Sequence, residues 1–247
     1  MYELDHQFEM LTLELEESQE LAKAKERLLL VHIAEMEVLY DKLNEKVNQL
    51  NYKNLQLNQV FLHTIESLAL TLEAKDYYTK GHSRRVSRYC EIVAAELGLA
   101  LEQQQEIKLA GLLHDIGKIG IKENVLCKPG RLTDEEYSHI KEHPFIGARI
   151  LKPLEGLGNI INSIKFHHER IDGKGYPFGL RGAEIPLGAK IIACADTFDA
   201  MTTDRPYRKA LKSEVALTEI KKVAGEQLDK EIAMTFCQLG QEGKLTS

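Results

Sequence analysis

Histidine and carboxylate residues recur in this chain at positions where they can do chemistry. HHERIDGKGYP, from His167 to Pro177, sets two imidazoles and an acid before a glycine-rich turn. LLHDIGK places His114 beside Asp115, His82 opens a helical stretch, and His143 precedes Pro144. Asp196 follows the apolar run IIACA, and Asp115 follows AGLLH. A carboxylate in such surroundings needs a partner or loses its charge. A metal would satisfy both acids and the neutral imidazoles together. The candidate ligands are His82, His114, His143, His167, His168, Asp115 and Asp196. Nitrogen and oxygen donors without thiolate suit iron, manganese or zinc. Seven ligands exceed what one catalytic ion with an open position takes. They suit two divalent ions sharing one carboxylate.

All 17 glycines lie beyond residue 80, which divides the chain into two regimes. Residues 1–62 carry an alternating step of four and three, with Leu4, Phe8, Leu11, Leu15, Leu29, Met36, Leu39, Leu43, Leu50, Leu57 and Val60 on it. Ser18, Lys25, His32, Lys46 and Lys53 interrupt the stripe. A sustained seven-residue repeat predicts a coiled coil, here a parallel homodimer through the N-terminal helix. Residues 63–247 read as a separate catalytic domain. Their apolar residues fall at helical spacing, with no alternating strand pattern, so the fold class is all-α. One helix is expected over LEQQQEIKLAGLLHDIGKIG, which sets His114, Asp115 and Lys118 on one face. Thr133 and Glu136 form a capping-box pattern before YSHIKEH.

The formal net charge of −6 argues against a nucleic-acid partner. No stretch approaches the ~20 apolar residues of a membrane span. Cys90, Cys127, Cys194 and Cys237 form no CxxC pair and read as reduced thiols of a cytoplasmic protein. Residues 1–62 contain no recognisable sensor, so an input would come from an upstream partner or sensor domain.

LLHDIGKIGI together with HHERIDGKGYP resembles the HD-GYP subgroup of the HD-domain phosphohydrolases. YTKGHSRRV, NVLCKPGRLTDEEYSHIKEHPFIGARIL and ADTFDAMTTDRPYRKA extend the likeness, in family order, over roughly residues 65–237. The resemblance implies an HD-domain helical bundle and a metal-dependent phosphodiesterase acting on cyclic di-GMP. It implies one ion held by His82, His114 and Asp196, another by His143, His167 and His168, and Asp115 bridging them. His139 is left as a structural residue. Some relatives take a third ion through a glutamate four residues before the first histidine. Tyr78 stands there, so two ions are expected, iron or manganese.

On this reading a hydroxide bridging the ions attacks phosphorus and gives linear pGpG, GMP or both, with two ions favouring pGpG. Lys118 assists at the phosphate. Tyr176 meets the nucleotide, Arg205 and Arg208 bind phosphate or guanine, with Arg205 favoured, and Asp76 orients the nucleotide or a water. Glu169 is read as an acid orienting an imidazole or as a solvated residue. The alternatives are another HD-type nucleotide phosphohydrolase and a catalytically silent, cyclic-dinucleotide-binding signalling module.

Overall fold

The computed structural model describes residues 2–75, 81–128, 130–204 and 209–245. Asp76, Tyr78, Arg205 and Arg208 lie outside the described residues. The chain divides into two units, Met1–Leu62 and His63–Ser247. Among the described residues no strand forms, and one isolated bridge joins Ala224 to Leu228. No described helix is long and apolar enough to cross a membrane.

Helix α1 spans Tyr2–Lys75, further than the 62 residues expected for the N-terminal helix. No glycine or proline interrupts it. Within the first unit Leu39, Leu43, Leu50 and Leu57 are exposed, as are Phe8, Leu11, Leu15, Leu29, Met36 and Val60 of the repeat. From residue 63 onward the same helix buries Ile65, Ala69 and Leu72, spaced by four and three.

The second unit contains α2 (His82–Glu96), α3 (Leu101–Leu113), the short α4 (Glu123–Leu126), α5 (Asp134–Ile140) and α6 (His143–Leu151). Helices α7 (Gly158–Phe166), α8 (Leu187–Thr202), α9 (Ser213–Val223) and α10 (Lys230–Gln241) follow. Helix α8 packs against α2, α3, α7, α9 and α10. Ile191, Ile192, Ala195 and Phe198 from α8 are buried with Val86, Val93, Ile164, Ile220 and Phe236. Phe198 meets Tyr89 and Phe236 edge-on, at centroid distances of 5.5 and 5.2 Å. Such pairs contribute about 0.5–1.5 kcal/mol beyond the area they bury.

Local signals set several helix ends. Gly98 takes φ 70° just past α2, a left-handed position suited to glycine. Thr133 Oγ1 accepts from the Glu136 amide, and Glu136 Oε2 accepts from the Thr133 amide. The helix expected over residues 101–120 is broken. α3 stops at Leu113, and a 3₁₀ turn covers Ile116–Gly120. Packing against α6 explains the break. A Cβ on Gly117 would overlap the His143 carbonyl oxygen, so α6 lies directly on the turn's backbone.

Candidate metal and substrate site

Helix boundaries supply five of the seven candidate ligands. His82 and His143 begin α2 and α6, while His114 and His167 cap the C-terminal ends of α3 and α7. Asp115 follows His114 and starts the 3₁₀ turn. His168 is next along the chain after His167, and Asp196 projects from the middle of α8.

Backbone carbonyls orient three of the rings. The Nδ1 atoms of His114, His143 and His167 lie 2.7, 2.8 and 2.6 Å from the carbonyl oxygens of Gly111, Ile140 and Ile164. A carbonyl only accepts, so each Nδ1 carries the proton and each Nε2 of a neutral ring presents a lone pair. His82 Nδ1 is held instead by Asp199 Oδ2 at 2.7 Å. The Nε2 atoms then crowd together, with His82 to His114 at 3.2 Å and His143 to His167 at 3.4 Å.

Asp115 connects these groups. Its Oδ2 lies 3.4 Å from His114 Nε2 and 3.7 Å from His82 Nε2, and its Oδ1 lies 3.3 Å from His143 Nε2. Asp196 Oδ1 is 3.5 Å from His82 Nε2. Ligand atoms lie within 4.8 Å of one another in two sets, His82–His114–Asp115 and His143–His167–His168. Imidazole lone pairs facing one another beside carboxylates fit cations bound between them.

Charge follows from these surroundings. Burial pushes the Asp115 carboxyl up, but Lys118 and the histidines outweigh it and hold the group well below the usual carboxylate range. Burial also lowers His143 and His167, and lowers His168 to about 3, so these rings stay neutral and available as ligands. Burial opposes protonation of His82 too, yet its bond to Asp199 and the nearby carboxylates raise it.

Lys118 Nζ lies 2.7 Å from Asp115 Oδ2. The 3₁₀ turn produces this contact rather than the expected α-helical face, because residues three apart eclipse in 3₁₀ geometry. Asp196, expected to be buried, is instead 21% exposed at its side chain and lines a cavity. That cavity measures about 350 Å³ and is walled by Tyr137, His168, Tyr176, Asp196, Thr197 and Gln227, among others. Tyr176 lies stacked on His168 at 4.7 Å between ring centroids. His139 stands apart from the cluster, 3.1 Å from Glu142 Oε2.

Glu169 departs from both of its expected roles. It is buried and accepts from the Phe178 and Leu180 amides at 2.7 and 3.0 Å. It therefore anchors the GYP loop and, among the described residues, orients no imidazole. Gly175 lets that loop close, since an added Cβ would sit 2.6 Å from both Glu169 Cα and the His168 carbonyl oxygen.

Three residues escaped the sequence reading. Asp199 accepts from Arg85 Nε at 2.6 Å as well as binding His82. Its place three residues after Asp196, on the same face of α8, is a usable signal in retrospect. Tyr137 stands inside the segment NVLCKPGRLTDEEYSHIKEHPFIGARIL without being singled out there, Gln227 lies outside the quoted segments, and only the fold brings them to the cavity.

An all-helical domain with a His–Asp pair at a helix end, ringed by further imidazoles, defines a metal-dependent class of protein. The chain belongs to the HD domain family, whose model matches residues 66–232. It is 42% identical over 182 residues to a cyclic di-GMP phosphodiesterase of Thermotoga maritima, covering 72% of this chain and 49% of that protein. It is 40% identical over 166 residues to a 3′3′-cGAMP-specific phosphodiesterase of Vibrio cholerae, covering 67% and 38%. The chain thus spans about half the length of these curated relatives, or less. Its fold is similar to the crystal structure of a cyclic GMP-AMP-specific phosphodiesterase of V. cholerae, with a TM-score of 0.60 and 18% identity over 74% of this chain and 49% of that one.

Proposed function

We propose that this chain is a metal-dependent phosphodiesterase of cyclic dinucleotides, with cyclic di-GMP as substrate and linear pGpG as first product. The observation that carries this reading is the position of Asp115, whose two oxygens reach toward both imidazole groups. His82, His114 and Asp196 would hold one ion, and His143, His167 and His168 the other, with Asp115 shared. Iron fits these donors, and manganese fits them too. When bound, such ions activate water near neutral pH and polarise phosphoryl oxygens.

The chain's own residues do the rest. Lys118 places an ammonium at the edge of the cluster, where negative charge grows on the phosphoryl group. The Tyr176 ring, packed flat on His168, forms a wall against which a purine stacks. Arg205 and Arg208 bind phosphate or guanine in this reading, and Asp76 orients the nucleotide, on the strength of their motifs. The relatives named for cyclic di-GMP and cGAMP support the substrate class. The exposed leucine stripe of α1 supports pairing with a second copy into a parallel coiled coil, through which an upstream signal reaches the catalytic unit. A cytoplasmic location accords with the four free cysteines.

The test is turnover by anaerobically purified protein loaded with ferrous iron or manganese, with products resolved over time. Cyclic di-GMP converting to pGpG, and inhibition by a chelator, are the expected results. Rapid cleavage of nucleoside triphosphates with inert cyclic dinucleotides would move the chain to another HD phosphohydrolase class. Tight binding without cleavage would make it a silent signalling module.

A further inference from the structure

Arg170 and Gln227 lie 57 positions apart and meet at the rim of the cavity. Arg170 Nη1 donates to Gln227 Oε1 at 3.1 Å. Guanidinium has donors and no acceptor, so the amide must turn its oxygen to Arg170. Arg170 is itself clamped, with Nε and Nη2 donating to the two oxygens of Asp172 at 3.0 and 2.7 Å. The backbones are tied as well, through Ile171 N to Gln227 O at 3.3 Å and Asp172 N to Glu226 O at 2.9 Å. Gln227 Nε2 donates to no protein group among the described residues. That contact fixes the sense of the amide, turning its oxygen to Arg170 and leaving the NH₂ as its unengaged end.

That restriction carries information about a base. An unrestrained glutamine pairs with adenine through both functions, accepting from N6 and donating to N7. With its oxygen turned to Arg170, the end left unengaged is a donor. Guanine offers two adjacent acceptors, O6 and N7, on the corresponding edge. The cavity, at about 350 Å³, is near the small end of the ~300–1,000 Å³ range of ligand sites and suits one nucleotide half. Building on the hydrolase reading above, we propose that Gln227, locked by Arg170, is a specificity-determining residue that selects guanine over adenine in the nucleotide half bound there.

The test is the ratio of kcat/KM for cyclic di-GMP to that for cyclic di-AMP, with the mixed guanine–adenine dinucleotide alongside, on the full metal-loaded chain. Gln227→Leu removes the donor and should lower the ratio about tenfold. Arg170→Met leaves Gln227 in place but frees its amide to turn over, so adenine substrates should gain and the ratio should fall again. A folding defect lowers both rates together and leaves the ratio unmoved. A ratio within twofold of wild type in both variants would overturn the assignment while leaving the hydrolase reading intact. Absence of turnover of any cyclic dinucleotide by the wild-type chain would overturn both.

Discussion

Asp199 Oδ2 holds His82 Nδ1 at 2.7 Å, while Arg85 grips the same carboxylate through Nε at 2.6 Å and Nη2 at 2.9 Å. The imidazole at the start of α2 is therefore aimed by a group 117 residues away on α8. Asp199 is only 2% exposed at its side chain, and burial raises its carboxyl, but His82 and Arg85 outweigh this and keep it ionised.

Asp199→Asn keeps the shape and removes the charge. Metal affinity should fall about tenfold or more, as for other partners that orient ligand histidines. Titration of the chelator-stripped protein with manganese, followed calorimetrically, measures this. An unchanged affinity would reduce Asp199 to a packing role.

Gly117→Ala drives a methyl into the backbone of α6 at His143 and Gly147. Backbone cannot move aside as a flexible side chain can. Stability should drop by about 2 kcal/mol or more, read from the urea midpoint of the metal-free protein. Gly98→Ala meets no atom within 4 Å, so its cost should come from the left-handed backbone alone.

Lys118→Ala should lower kcat roughly 100-fold, in the range of lost electrostatic stabilisation, with metal content retained. Steady-state kinetics with metal analysis of the same sample separates the two effects. Full turnover would assign Lys118 to neutralising Asp115 only.

Asp172 is held well below its usual carboxylate range, first by its hydrogen bond from Arg170 and then by the Lys174 amide. A folded pKa below the unfolded one stabilises above the unfolded value, about 3.9 for aspartate. That stabilisation disappears as pH falls through the folded value. Asp172→Asn should therefore melt below wild type at pH 7, and the gap should narrow as the pH is lowered beneath about 4. Thermal midpoints across this range decide the matter; a gap independent of pH would contradict the ion pair's role.

Leu43→Glu with Leu50→Glu places charge on the exposed stripe of α1. If that stripe pairs two copies, the full chain should sediment as a monomer after substitution and as a dimer before it. Identical behaviour of both proteins would remove the coiled-coil proposal.

Local chemistry was legible without coordinates. The four-and-three spacing of apolar residues specifies helices, because burial of one stripe is a property of neighbouring turns. Adjacent pairs such as His114–Asp115 and His167–His168 stand out as candidate ligands by covalent proximity alone. Tertiary structure decided what depends on contacts between distant segments. Close approach of α6 breaks the helix at Gly117, Glu169 turns to the loop amides instead of a ring, and Asp199 reaches across to His82. The sense of the Gln227 amide is set only when Arg170 is folded against it. Periodicity is written in short-range order, whereas the direction a polar side chain faces is set by whichever remote partner satisfies it in a low-dielectric interior.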